Sequence, residues 1–235
     1  MIKEVGPEHV VQIITDNGSN YKKACKLIRR KYAIVWQPCV AHTINLMLKS
    51  VGEFPEHKAV IEAGRRICRW LYNHNKLHAM MRSAIGGELV RWNATRFGTN
   101  YMFLESMHRK RDKFMEFMAS PSFLASRFCD TVEGRFAHSC LSSLSWWQTM
   151  HYVIKTVEPL YAFLRFADQD VNPNLSEVLL RFTIVRQEYE SLFHNDRAEF
   201  DRYMNIIEPR MGDIANDTFV NAGMMKCIGF SVLLI

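Results

Sequence analysis

Long apolar runs, paired cysteines and internal repeats are all missing from this sequence. No stretch approaches the roughly 18 consecutive apolar residues of a membrane-spanning helix, and the opening Met-Ile-Lys-Glu carries no apolar signal-peptide segment. These absences predict a soluble protein that is not secreted and has no membrane partner. The six cysteines, Cys25, Cys39, Cys68, Cys129, Cys140 and Cys227, include no C-x-x-C pair. Their scatter speaks against a disulfide framework and for free thiols in a reducing compartment. There is no low-complexity tract and no clear linker.

What is present can fold. Apolar residues make up 48% of the 235 and the mean hydropathy is −0.14, which excludes a disordered or collagen-like chain. The net charge of +6 is unevenly spread. Residues 1–64 carry nine basic and six acidic side chains, residues 65–113 eleven and three, and residues 114–235 ten and fifteen. The local excess of +8 in the middle creates a field that attracts phosphate, although a solvated helix face would carry the same charges.

The pattern predicts an α+β fold, mostly α, with few strands. Val10–Thr15 is short, β-branched and bounded by Gly6-Pro7 and Asp16-Asn17-Gly18, as a buried strand requires. Ser19 or Asn20 can cap a helix whose apolar face holds Tyr21, Ala24, Leu27 and Ile28. Ala33 to Gln37 reads as a second strand closed by Pro38, and a helix with Ile44, Met47, Leu48 and Val51 aligned follows. From Glu56 the pattern is helical. Val60, Gly64, Ile67, Cys68 and Leu71 share one face, with Arg65, Arg66 and Arg69 opposite. Gly86-Gly87 marks a break, and one helix is expected to carry Phe103, Leu104, Met107, Phe114 and Met118 up to an interruption at Ser120–Phe128. Trp147, Met150, Ile154, Val157, Tyr161 and Leu164 make a further stripe, with Pro159 inside it. A loop follows at Asp168–Pro173, then a stripe through Val178, Phe182, Val185, Tyr189 and Leu192, and a last helix that Asp196 can cap. The expected division is residues 1–52, a helical region over 53–210 and a tail over 211–235.

Three groups of residues could carry chemistry. Asp16 stands where a strand gives way to a helix, the edge at which open α/β sheets bind ligands, so it could hold Mg²⁺. Local sequence favours a plainer role, because Asp-Asn-Gly is an ordinary turn. Cys39 and His42, three residues apart, supply half a zinc motif or a thiol and imidazole pair; a Cys–His hydrolase would need an orienting third group that the sequence does not offer. Arg91, Trp92 and Arg96, with Thr95 and Thr99, alternate guanidinium, aromatic and hydroxyl groups suited to phosphate and base contacts, while a loop with Thr99 as helix cap and Trp92 in the core fits equally.

Four segments in order carry a family resemblance. Val10–Ala24 with Asp16, Pro38–Leu48 with Cys39 and His42, Thr95–Tyr101 and Val157–Arg165 resemble the plant hAT-superfamily transposases. The resemblance implies a ribonuclease H-like core interrupted by a large helical insertion, a nuclear protein, and DNA cutting and joining with two metal ions held by two Asp and one Glu. It makes Asp16 the second Asp of that triad and a Mg²⁺ ligand, and places Cys39 and His42 beside the active site. It assigns DNA contacts to the arginine-rich middle: Arg65, Arg66, Arg69, Arg91, Trp92 and Arg96. The family's first Asp would precede Met1, and Glu158 and Glu208 do not match its Glu. The expectation is therefore a truncated, transposon-derived protein with a partial core, Mg²⁺ not productively bound, and weak, non-specific DNA binding. Possible protein partners are a second copy or a full-length transposase. An active enzyme completed by another chain is the alternative.

Overall fold

A computed structural model describes residues 2–10, 12–32, 34–93, 97–168 and 177–215. The fold is mostly α, with two short parallel strands among the described residues. In chain order the elements are α1 (Ile2–Val5), a 3₁₀ turn (Pro7–His9), β1 (Gln12–Thr15), α2 (Ser19–Tyr32), β2 (Val35–Pro38), α3 (Val40–Val51), α4 (Pro55–Tyr72) and α5 (Asn75–Ile85). They continue with α6 (Gly98–His108), α7 (Arg111–Ala119), α8 (Pro121–Leu124), α9 (Val132–Leu141), α10 (Leu144–Ala167), α11 (Val178–Leu192) and α12 (Arg197–Ala215). Two compact units result. One comprises the chain to Ser50 together with the chain from Pro159 onward, and the other spans Val51–Glu158.

In the first unit β1 and β2 pair in parallel, with Gln12 opposite Val35, Ile13 opposite Trp36, Ile14 opposite Gln37 and Thr15 opposite Pro38. Helix α2 makes the crossover that parallel pairing demands. Two expectations need correction here. Strand β1 is only half-buried, with Ile14 55% exposed, because β2 is its one ladder neighbour among the described residues. Helix α2 leaves Tyr21 and Leu27 exposed and buries Cys25, whose thiol bonds Thr15 of β1 and so sets which face turns inward. By contrast Ile44, Met47 and Leu48 of α3 are fully buried, as their spacing predicts. Helix α12 contacts β2, and Arg210 on it donates from Nη2 to Ser50 Oγ at 2.9 Å. Tyr189, Phe193 and Tyr203 stack at centroid distances of 5.2–6.1 Å to bind α11 to α12. Asp196 caps α12, its Oδ1 accepting from Glu199 N at 3.0 Å.

In the second unit α4 buries Val60, Gly64, Ile67, Cys68 and Leu71, the expected face. Helix α5 stops at Gly86, whose φ of 68° is the left-handed conformation that a C-terminal glycine supplies. The single helix expected through Phe103 and Met118 is two, α6 and α7, parted at Arg109-Lys110. Lys110 leaves the helical path and extends its Nζ to Ile85 O at 3.1 Å, satisfying an end carbonyl of α5. Helix α10 runs on through Pro159, and Trp147, Met150, Ile154 and Val157 are buried along it.

Helix α9, which no periodicity announced, is started by Thr131, whose Oγ1 accepts from Gly134 N at 2.9 Å. Position 134 must be glycine for reasons of space. A Cβ there would stand 1.9 Å from Phe128 O and 3.0 Å from Cys129 O, both backbone atoms that cannot swing aside. Gly134→Ala should therefore cost about 1–3 kcal/mol of stability, the usual range for overpacking. A lowered urea midpoint at unchanged slope would register it.

Of the sequence expectations, Arg96, Cys227, positions 169–173 of the loop and nearly all of the 211–235 tail lie outside the described residues. Among the described residues no helix is long and apolar enough to cross a membrane.

Candidate functional site

In the first unit the carboxyl ends of the parallel strands bring the Asp16 and Cys39 segments side by side. Cys39 N donates to Thr15 O at 2.8 Å, so the ladder continues one bond past β2. Cys39 precedes α3, the helix that carries His42, and its carbonyl accepts from Thr43 N and Thr43 Oγ1 at 3.0 and 2.9 Å. Thr43 Oγ1 in turn accepts from Asn17 Nδ2 at 2.9 Å, which ties the loop carrying Asp16 to the first turn of the helix carrying His42. The result is an Asp16 Oδ1 to His42 Nδ1 separation of 3.6 Å, with the two side chains 59% and 36% exposed. That distance is too long for a hydrogen bond. Asn17 Oδ1, buried beside the pair, has no hydrogen-bond partner.

The structure thus unites Asp16 with His42. No group of three or more His, Cys, Asp or Glu stands together among the described residues so as to hold a metal ion. The donor set does not fit a two-ion phosphoryl-transfer centre, which needs converging carboxylates.

The arginine stripe lies in the second unit, and only part of it faces water. Arg66 is engaged within the protein: its Nε and Nη2 donate to Glu133 at 2.8 and 3.0 Å, and its guanidinium lies 3.9 Å from the Phe136 ring centroid. The bond to Glu133 raises the Arg66 pKa and lowers that of Glu133. Arg65 is half-buried, donates from Nη2 to Asn100 Oδ1 at 2.6 Å, and lies 5.6 Å from the Trp92 ring. Its Nε is buried without an acceptor. Burial first, and then the charge of Arg69, lower the Arg65 pKa, with Glu62 opposing. Arg69 is exposed.

Trp92 packs edge-on against Phe103 at 4.9 Å and remains half-exposed, so it is neither a fully buried core residue nor a free platform. Arg91 is exposed and lies 5.2 Å from the Tyr72 ring. Tyr72 donates to Glu88 at 2.7 Å and accepts from Leu89 N at 2.9 Å, fixing the start of the segment that carries Arg91 and Trp92. Thr99 does not cap α6. It sits inside the first turn, where its hydroxyl accepts from Asn93 N and donates to Asn93 O. Sequence reasoning missed Asn100 and Tyr72. Asn100 adjoins Thr99 and could have been suspected as a polar residue entering an apolar helix.

Residues 1–67 match the family model of a domain of unknown function, DUF659, which is found in hAT-like plant transposases. No curated protein and no solved structure matches the chain.

Proposed function

We propose that this chain is a transposon-derived, nuclear DNA-binding protein whose second unit grips duplex phosphates and which does not itself cut DNA. On this reading the β1–α2–β2 segment is part of a ribonuclease H-like core, and α4 with the segment carrying Arg91 and Trp92 belongs to the helical insertion.

One observation carries the DNA reading. Arg65 and Arg69 stand close enough on α4 to repel, and Arg65 turns a buried, unpartnered Nε toward no protein acceptor. Packed like charges and an orphan donor both cost stability in the isolated protein. A phosphate oxygen at the exposed edge of these guanidinium groups relieves the repulsion, as charge-assisted bonds from guanidinium do. The DUF659 match supports the transposase origin independently.

Fluorescence anisotropy with two unrelated duplexes at low salt tests the reading. Comparable binding of both is expected, since phosphate contacts carry no sequence information. No binding to either duplex overturns it.

Asp16 favours a second reading, an active transposase completed by another chain, because it lies at the carboxyl edge of the strands beside His42. The chain alone should give no strand cleavage with Mg²⁺ or Mn²⁺. Nicking by the chain alone that disappears in Asp16→Ala would overturn the reading that it does not itself cut DNA.

A further inference from the structure

Away from both sites, His108 near the end of α6 and His151 on α10 face one another in the second unit. Their ring centroids are 5.2 Å apart and their planes are tilted by 31°. His151 is exposed and His108 half-buried. Trp147 also meets His108, at 6.2 Å in an edge arrangement.

We propose that His108 and His151 form a two-imidazole surface site for a borderline divalent cation, of which Zn²⁺ is the natural probe. Imidazole ligates only when neutral, and the surroundings of His108 favour that form: burial, then the neighbouring His151, then Arg111 lower its pKa, against a smaller opposing effect of Asp112. Asp112 and Arg111 pair with each other at 2.9 Å, so they add little net charge to the site. Zinc binds imidazole nitrogen at about 2.0–2.1 Å, so the two nitrogens must approach to roughly 3.3 Å in tetrahedral geometry. On this proposal the exposed His151 ring turns to bring its nitrogen to that of half-buried His108. Two nitrogens from different helices chelate, the second binding at high effective concentration. The remaining positions fall to water, since no third ligating side chain joins the pair among the described residues. Bound zinc would brace α6 against α10.

The test uses the full chain with ¹⁵N-labelled histidine, titrated with Zn²⁺ at neutral pH. The expected result is that the imidazole resonances of His108 and His151 move together and that the melting temperature rises. His151→Gln, a change at an exposed position, should weaken zinc binding at His108 by about tenfold or more as the chelate is lost. His108→Gln should do the same at His151. Zinc-induced shifts confined to other histidines, or a His108 response unchanged in His151→Gln, would overturn the proposal and leave the pair as packing against Trp147.

Discussion

Trp147→Ala should destabilise the protein by about 4–6 kcal/mol, the largest single-residue loss that the structure predicts. Trp147 is 1% exposed, and its Nε1 donates to Leu141 O at 2.9 Å in a fully buried bond. Its ring meets Phe114 at 6.3 Å and Trp146 at 4.9 Å, so α7 and α10 share it. Truncating a buried aromatic side chain to alanine costs about 3–5 kcal/mol, and the stranded carbonyl of Leu141 adds about 1 kcal/mol or more. Domains commonly have only about 5–15 kcal/mol in total. Trp146, its half-buried neighbour, lies on the rim and should lose much less on the same change. Urea unfolding of the two variants side by side checks the contrast, and equal losses would show that Trp147 does not centre the core.

DNA affinity should fall roughly 150- to 500-fold between 50 and 200 mM salt, the second large effect, for a duplex held by four or five phosphate contacts. The contacts come from the cations that the fold leaves available. Arg69, Lys76, Arg91 and Lys113 are exposed, and half-buried Arg65 stands beside Arg69. Arg66, Arg109 and Arg111 are committed to Glu133, Glu105 and Asp112, and Lys110 to the end of α5. Fewer than half of the eleven basic residues in the 65–113 segment are thus expected to act. A shallow salt dependence would mean that protein carboxylates neutralise the patch.

Where the sequence was legible, local periodicity and packing agreed. The spacing of Ile44, Met47 and Leu48, and of Val60, Gly64, Ile67, Cys68 and Leu71, names buried faces because each helix has a wide apolar side to hide. Helix α9 stayed hidden because its start depends on Thr131 capping Gly134 and on Gly134 seating against the Phe128 carbonyl, neither of which leaves a hydrophobic stripe. On α2, Tyr21 and Leu27 make as good an apolar face on paper as Cys25 does, and only the contact with Thr15 decides between them.

The candidate sites divide in the same way. That Asp16 ends a strand is readable from its turn sequence, but its approach to His42 depends on the Asn17–Thr43 bond across a crossover. The arginine stripe is visible as spacing on α4. What spacing cannot reveal is that Glu133, 67 residues away, takes Arg66 out of the stripe. Nor does it place Trp92 under Arg65, which needs the segment after α5 to be folded back and held by Tyr72.

The most direct measurement is the slope of log K against log salt for one duplex, taken for the natural chain and for the Arg65→Gln/Arg69→Gln double variant. Each phosphate contact contributes about 0.9 to that slope. The account predicts weaker binding in the variant and a slope shallower by about 1.8, two contacts' worth. Identical slopes and affinities would contradict it, because the crowded charges of Arg65 and Arg69 would then serve no phosphate.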